Sequence, residues 1–157
     1  AAGLSAASLT KGRLACKKVG KFTVIDDTYN ANPESMLAAL ETVAALHGPK
    51  RRIAVLGKMG ELGKGSRHAH EEIGRRAAAL GFDAVIAVGE EGSETASLVW
   101  AAFNASDDVT ACHFFTPEQA AMFLKGFIEP GDALLFKGSR SAGMERTMYE
   151  LFPALKP

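Results

Sequence analysis

Two stretches of the sequence gather side chains able to do chemistry on a polar ligand. Asp26-Asp27-Thr28-Tyr29-Asn30-Ala31-Asn32-Pro33 holds two carboxylates, a phenol and two carboxamides in one run. A carboxylate there can accept bonds from ribose hydroxyls or hold an ammonium group, and amides beside a helix start can grip a backbone-like ligand. Turn and cap chemistry accounts for Asn32-Pro33 and part of Asp26, but leaves the tyrosine and the second amide without a task. In Lys137-Gly138-Ser139-Arg140-Ser141, two cations flank a small hydroxyl residue. That pattern suits a carboxylate or phosphate, with the arginine acting as a bidentate fork and backbone amides assisting at the helix start. Cations at the beginning of a helix oppose its dipole, so ligand contact explains them better than surface decoration does.

Other candidates are weaker. Gly57 to Ser66 is glycine-rich, but the G-x-x-x-x-G-K-S/T spacing fails: Lys58 stands five residues before Gly63, and Ser66 follows Gly65. No G-x-G-x-x-G fingerprint follows an apolar run. This stretch is either a plain loop or a substrate-facing one. His68 and His70, two apart, fall on different sides of a helix and make no paired metal site, while His47 and His113 read as structural or exposed. Glu71 with Arg75 and Glu72 with Arg76 read as surface pairs at i,i+4 spacing. Trp100 and the phenylalanines fall at core-like positions, leaving no exposed apolar helix face.

The elements that position these groups follow from hydrophobic periodicity. Short apolar runs at Thr23–Ile25, Ile53–Leu56, Ala84–Val88, His113–Phe115 and Ala133–Phe136 read as strands. Between them, Met36/Leu40/Val43/Ala44, Ile73/Ala77/Leu80, Ala96/Val99/Trp100/Phe103 and Ala120/Phe123/Leu124/Phe127 have helical spacing, and Met144/Met148/Leu151/Phe152 follow the last strand likewise. Asn32-Pro33 marks one helix start and Thr116-Pro117-Glu118-Gln119 reads as a capping box at another. The alternation implies right-handed crossovers and an open α/β fold: a mostly parallel sheet with helices on both faces. Leu14–Val19 and Lys21–Ile25 around Gly20 predict a hairpin that adds one antiparallel edge strand. Ligands of such sheets bind beyond the carboxyl ends of the strands, where both polar stretches lie.

At 157 residues, 47% hydrophobic and 23% charged, the chain suits one domain with a proper core. Eighteen basic residues balance eighteen acidic ones, so no global field holds a nucleic acid or a membrane surface. Cys16 and Cys112 lack metal-ligand spacing and read as ordinary thiols of a reducing, cytoplasmic setting. No apolar run approaches the ~18 residues of a membrane helix, and the first ten residues lack a signal-peptide pattern. The start at Ala1-Ala2-Gly3 has the look of a cut linker.

Taken together, Asp26 to Met36, the Leu56-Gly57-x-Met59-x-Glu61-Leu62-Gly63 run, His70-x-x-x-Gly74 and Lys137-Gly138-Ser139-Arg140-Ser141-x-x-Met144-Glu145 resemble the D-alanyl-D-alanine-adding Mur ligases. The matched part is that family's C-terminal domain, from about Gly12-Arg13 to Leu151. The resemblance implies one C-terminal domain over residues 1–157, with 1–11 a remnant of the interdomain linker, and with the central ATP-binding and N-terminal UDP-binding domains absent. It implies a Rossmann-like fold and a bacterial, cytoplasmic enzyme of peptidoglycan precursor synthesis. There ATP activates the carboxylate of UDP-N-acetylmuramoyl-tripeptide as an acyl phosphate, and the amine of D-alanyl-D-alanine attacks it. ATP and Mg would be bound mainly by the central domain, and this domain, inactive alone, would complete the ATP pocket and present the dipeptide. Carried over by residue, Arg13 would reach the nucleotide phosphates and Asp27 the ATP ribose. Tyr29, Asn30 and Asn32 would form part of the amine-substrate wall, and Lys137, Ser139 and Arg140 would face either the dipeptide carboxylate or the reacting phosphate. Glu61, His70 and Glu145 match motif positions without an assigned role. Lys58 stands where relatives usually carry aspartate, reversing the charge of that loop. A stand-alone nucleotide- or sugar-nucleotide-binding module, or a related ligase adding another amino acid, are the alternatives.

Overall fold

The computed structural model describes residues 14–157; Arg13 and the linker expected over residues 1–11 lie outside the described residues. Strands β1 (Ala15–Val19) and β2 (Phe22–Asp27) pair antiparallel across the Gly20-Lys21 turn, as the hairpin reading requires. Strands β3 (Arg52–Leu56), β4 (Ala84–Val88), β5 (Thr110–Phe114) and β6 (Ala133–Lys137) complete one sheet in the order β1-β2-β6-β3-β4-β5, parallel from β2 onward. The helices are α1 (Pro33–Ala44), α2 (Ser66–Ala79), α3 (Glu94–Ala105), α4 (Pro117–Phe127) and α5 (Glu145–Leu151). The expected open α/β sheet with an antiparallel edge strand is present.

Alternation along the strands divides the core into two layers. Ile25, Ala54, Leu56, Val85, Ala87 and Leu135 point to one face and pack with Met36 and Leu40 of α1, Ile73 and Ala77 of α2 and Leu98 of α3. Val24, Ile53, Val55, Ile86, Leu134 and Phe136 point to the other and pack with Leu124 of α4, Met144 just before α5 and Met148 of α5. Central strands buried on both faces must be apolar at every position, which is why they read as continuous runs.

Several local expectations are corrected. The strand expected at His113–Phe115 lies at Thr110–Phe114. It is a sheet edge, with Thr110 exposed and the rest half-buried, so it needs no apolar run. Trp100 and Phe103 are not core residues: they are 63% and 56% exposed and stack on each other, ring centroids 5.9 Å apart. Helix α3 instead buries Thr95, Leu98 and Ala102, because α2 approaches its backbone too closely for a large ring. The contact is set by Gly74, where an added Cβ would lie 2.0 Å from the Leu98 carbonyl oxygen. The i,i+4 pairs also differ. Arg67 meets Glu71, Arg75 meets Glu72 at i,i+3, and Arg76 reaches across to Glu41 of α1. At α4, Thr116 caps the Gln119 N–H, but Gln119 accepts from the Phe115 N–H, so the box does not close on the cap residue itself.

At the amino ends of β3 and β6, Arg51 forks onto buried Asp132 at 2.9 and 2.7 Å and donates to the Phe127 carbonyl. The bond to Asp132 holds the guanidinium pKa above its ordinary value. Cys16 and Cys112 sit on opposite edge strands as free thiols, and burial pushes both pKa values up. Among the described residues no helix is long and apolar enough to cross a membrane.

The α2–α3 contact yields a direct test. In an isolated helix, alanine for glycine stabilises by about 1 kcal/mol. Gly74→Ala is instead expected to lose about 2 kcal/mol through overpacking, read from urea denaturation midpoints at unchanged m-value.

Candidate functional site at the carboxyl ends of β2, β3 and β6

Insertion of β6 between β2 and β3 puts Asp27 opposite Lys137, and Lys137 opposite Leu56, at the carboxyl end of the sheet. Residues 110 positions apart thereby meet: Lys137 Nζ lies 2.7 Å from Asp27 Oδ2 and donates to the Asn30 carbonyl at 3.0 Å. The lysine side chain is 3% exposed and the aspartate 14%. The other Asp27 oxygen accepts the Leu14 N–H at 3.2 Å, tying the first described residue to the same carboxylate. Its neighbour Asp26 is buried, its Oδ1 accepting both the N–H and the hydroxyl of Thr28. Cap and turn chemistry therefore absorbs Asp26, while Asp27 borders open space.

That space is a 410 Å³ cleft. Asp27, Tyr29, Asn30, Asn32 and Lys137 form its polar side, and Leu14 with Ser35, Ala38, Ala39 and Thr42 of α1 forms the other. Asn32 caps α1, its Oδ1 accepting from the Ser35 N–H at 2.8 Å while Ser35 Oγ accepts the Asn32 N–H at 3.1 Å. Asn30 Oδ1 accepts the Ala31 N–H. Both carboxamide oxygens are thus used to shape the loop, which presents Tyr29, 45% exposed, outward.

Across this loop lies a second cavity of 610 Å³, lined by Tyr29, Asn30 and Asn32 on one side and by Gly60, Glu61, Leu62, Ser139 and Arg140 on the other. The loops after β3 and β6 meet at two glycines; a Cβ on Gly57 would lie 2.7 Å from the Ala142 Cβ, and one on Gly138 2.7 Å from Met144 Cγ. Ser139 is buried, with its Oγ 3.2 Å from Ser141 Oγ. Arg140 is exposed and pairs with Glu145 of α5, whose other oxygen is buried without a partner. His70 lines neither cavity; it is fully buried, its Nε2 accepting the Met59 N–H.

Lys58 points elsewhere. It lines a third cavity of 310 Å³ with Gly89, Glu90, Ser93, Glu94, Phe115 and Arg146, beyond β4 and β5. Beside it runs a hydrogen-bonded chain in which Ser93 Oγ lies 2.7 Å from Thr95 Oγ1 and Thr95 Oγ1 lies 2.9 Å from His113 Nε2. Burial holds the His113 pKa below its ordinary value.

The structure thus brings Asp27, Tyr29, Asn30, Asn32, Glu61, Lys137, Ser139 and Arg140 to two adjoining cavities, with Glu145 behind Arg140 and His70 beneath the loop. It separates Lys58 from them, and Arg13 is outside the described residues. The α1 wall went unread in the sequence; its signal is the small-residue face Ser35/Ala38/Ala39/Thr42 at helical spacing. Among the described residues no group of three His, Cys, Asp or Glu side chains is placed to hold a metal ion. Chemically, the arrangement offers a carboxylate beside a partly apolar cleft and, next door, an exposed guanidinium beside a small hydroxyl. These suit a hydroxyl-bearing ligand and an anionic one, respectively.

Comparisons with known proteins find relatives over most of this chain. The Mur ligase glutamate ligase domain profile matches residues 12–140. The UDP-N-acetylmuramoyl-tripeptide–D-alanyl-D-alanine ligase of Mycobacterium leprae is 38% identical over 134 residues, covering 78% of this chain and 26% of that protein. A crystal structure of MurF from Acinetobacter baumannii superposes with a TM-score of 0.77 at 37% identity, covering 90% of this chain and 30% of that one. MurF from Thermotoga maritima in complex with ADP gives 0.75 at 30% identity, again over 90% and 30%. The chain spans about a quarter to a third of the length of the curated relatives it matches.

Two outcomes follow from the site's electrostatics. Lys137→Met strands the largely buried Asp27 carboxylate and is expected to cost about 3 kcal/mol of stability; adding Asp27→Asn should recover most of it, as a double-mutant cycle measures. His113 binds its proton more weakly when folded than when unfolded. The stability it contributes is therefore complete above its ordinary pKa of 6.5 and lost as pH falls through the lower folded value. Denaturation at pH 7.5 and pH 5 should show a smaller acid loss in His113→Gln than in the parent.

Proposed function

The chain belongs to the Mur ligase family, whose C-terminal domain it carries, and from that premise we propose that it serves an ATP-dependent ligase joining D-alanyl-D-alanine to UDP-N-acetylmuramoyl-tripeptide. The observation that carries this reading is the pair of cavities sharing the Tyr29–Asn32 wall, on a chain 37–38% identical to D-alanyl-D-alanine-adding ligases. In the proposed reaction the tripeptide carboxylate attacks the terminal phosphorus of ATP and ADP leaves. The dipeptide amine then attacks the acyl carbon, and phosphate leaves as the amide forms.

The 410 Å³ cleft is assigned to the nucleoside end of ATP. Asp27 keeps lone pairs for ribose hydroxyls while Lys137 and the Leu14 N–H hold the carboxylate in place. Leu14, Ala38 and Ala39 supply apolar surface beside it. Because Leu14 adjoins the proposed linker, nucleotide contact at Asp27 would also orient the chain's connection to the rest of the enzyme. The 610 Å³ cavity is assigned to the dipeptide, with Arg140 and Ser139 at its carboxylate and Tyr29, Asn30 and Asn32 along its backbone. Closing this domain over a partner that holds the phosphates would exclude water from an acyl phosphate, which water would otherwise hydrolyse. Magnesium is assigned, on the family resemblance alone, to the central domain, and no step here runs through it. ATP and UDP-linked substrates place the proposed reaction in the bacterial cytoplasm.

The test uses the complete enzyme with this chain as its last domain. Phosphate release should require D-alanyl-D-alanine, and release that ignores the dipeptide, or that glutamate supports equally, overturns the reading. Within that enzyme, Arg140→Ala is expected to raise KM for the dipeptide about tenfold, the scale of one charge-assisted hydrogen bond, with KM for ATP unchanged.

A further inference from the structure

The loop after β3 is hydrogen-bonded at three successive residues and then enters a cavity wall, whose Leu62 packs against the core. The Gly57 N–H donates to the Lys137 carbonyl and the Ser139 N–H to the Lys58 carbonyl, both at 2.8 Å, so the first two residues beyond β3 extend its ladder with β6. Met59 breaks this pattern: it turns into the core, 3% exposed, and its N–H donates to His70 Nε2 at 3.0 Å. The next three residues, Gly60, Glu61 and Leu62, form one wall of the 610 Å³ cavity. Glu61 there has φ +60°, a left-handed backbone that a non-glycine residue keeps only when its surroundings hold it.

His70 sits on α2, fully buried. Its Nδ1 lies 2.7 Å from the Ser66 carbonyl oxygen, which accepts only, so Nδ1 carries the proton and Nε2 offers a lone pair. One ring thus fixes its own tautomer on the helix and spends its free lone pair on a loop amide. A residue that merely filled space would need neither bond. Its partner, Met59, is the last of these three hydrogen-bonded residues and directly precedes the cavity wall.

We infer that His70 is a positioning residue, which sets Gly60–Leu62 against the bound amine substrate through the Met59 N–H. The identity of that substrate rests on the function proposed above; the clamp itself rests on the bonds at His70. Glutamine can bring its Oε1 to the place of Nε2 and accept the same N–H. Asparagine, one methylene shorter, remains beside Ser66 and cannot reach Met59.

The experiment compares His70→Gln and His70→Asn in the complete enzyme by steady-state kinetics and amide exchange. His70→Asn is expected to raise KM for D-alanyl-D-alanine about tenfold and leave KM for ATP within about twofold, while His70→Gln stays within about twofold of the parent in both. Exchange over 59–62 should quicken in His70→Asn and stay slow in His70→Gln. Equal dipeptide KM in parent and His70→Asn, equal losses in both variants, or a parallel rise in KM for ATP each overturn the positioning role. If the parent enzyme ignores the dipeptide, the functional reading fails separately, and unchanged protection in His70→Asn then sinks the clamp. Should His70→Asn not fold, the parent alone decides: a Met59 amide exchanging as fast as that of Glu61 rules the clamp out.

Discussion

The chain's last strand is the sheet's third, and the site depends on that insertion. Strand β6 enters between β2 and β3 and is pinned at both ends by charge. Before it, Asp132 holds Arg51, next to β3; at its end, Lys137 holds Asp27 of β2. A slip of one residue along either neighbour would turn Phe136 toward the wrong core layer and leave two buried charges without partners. Neither ion pair need add much net stability over an apolar substitute. What they supply is register, and register is what brings the loops after β2, β3 and β6 to a common edge.

Much of this was legible in the sequence because central strands and amphipathic helices announce themselves. The runs at 53–56, 84–88 and 133–136 are apolar throughout since both faces are covered, and Asn32-Pro33 caps α1 as its residue types require. Legibility failed where a neighbour decides. Trp100 and Phe103 have core spacing, yet the close α2–α3 approach at Gly74 leaves no room for them. Strand β5 lies at an edge, where hydrophobicity falls and its boundaries blur. At the site, the polar residues were visible but not their partners. Nothing in residue order says that Lys137 spends its charge on Asp27, that Lys58 turns toward a different cavity, or that His70 is a buried acceptor. Those facts belong to strand order and loop geometry.

The site also divides its labour by burial. Asp27, Lys137 and Ser139 are largely out of solvent and shape the floor, whereas Tyr29 and Arg140 stand exposed at the rim. Buried groups held by neighbours lose little freedom when a ligand arrives, while exposed ones can still adjust to it. Backbone bonds tie the bases of the β3 and β6 loops together, and Glu61 of one loop and Arg140 of the other line the same cavity.

The stacked pair on α3 has an optical consequence. Trp100 is the only tryptophan in the chain, and it sits on the outer face of a helix that packs inward through Leu98 and Ala102. With 63% of the residue exposed, its emission is expected to be that of a largely hydrated indole already in the folded protein, so that fluorescence understates unfolding. The same residue makes a good sentinel for whatever comes to rest against α3: contact there would dry the ring and move its spectrum to the blue, with no label added and the 410 Å³ cleft untouched.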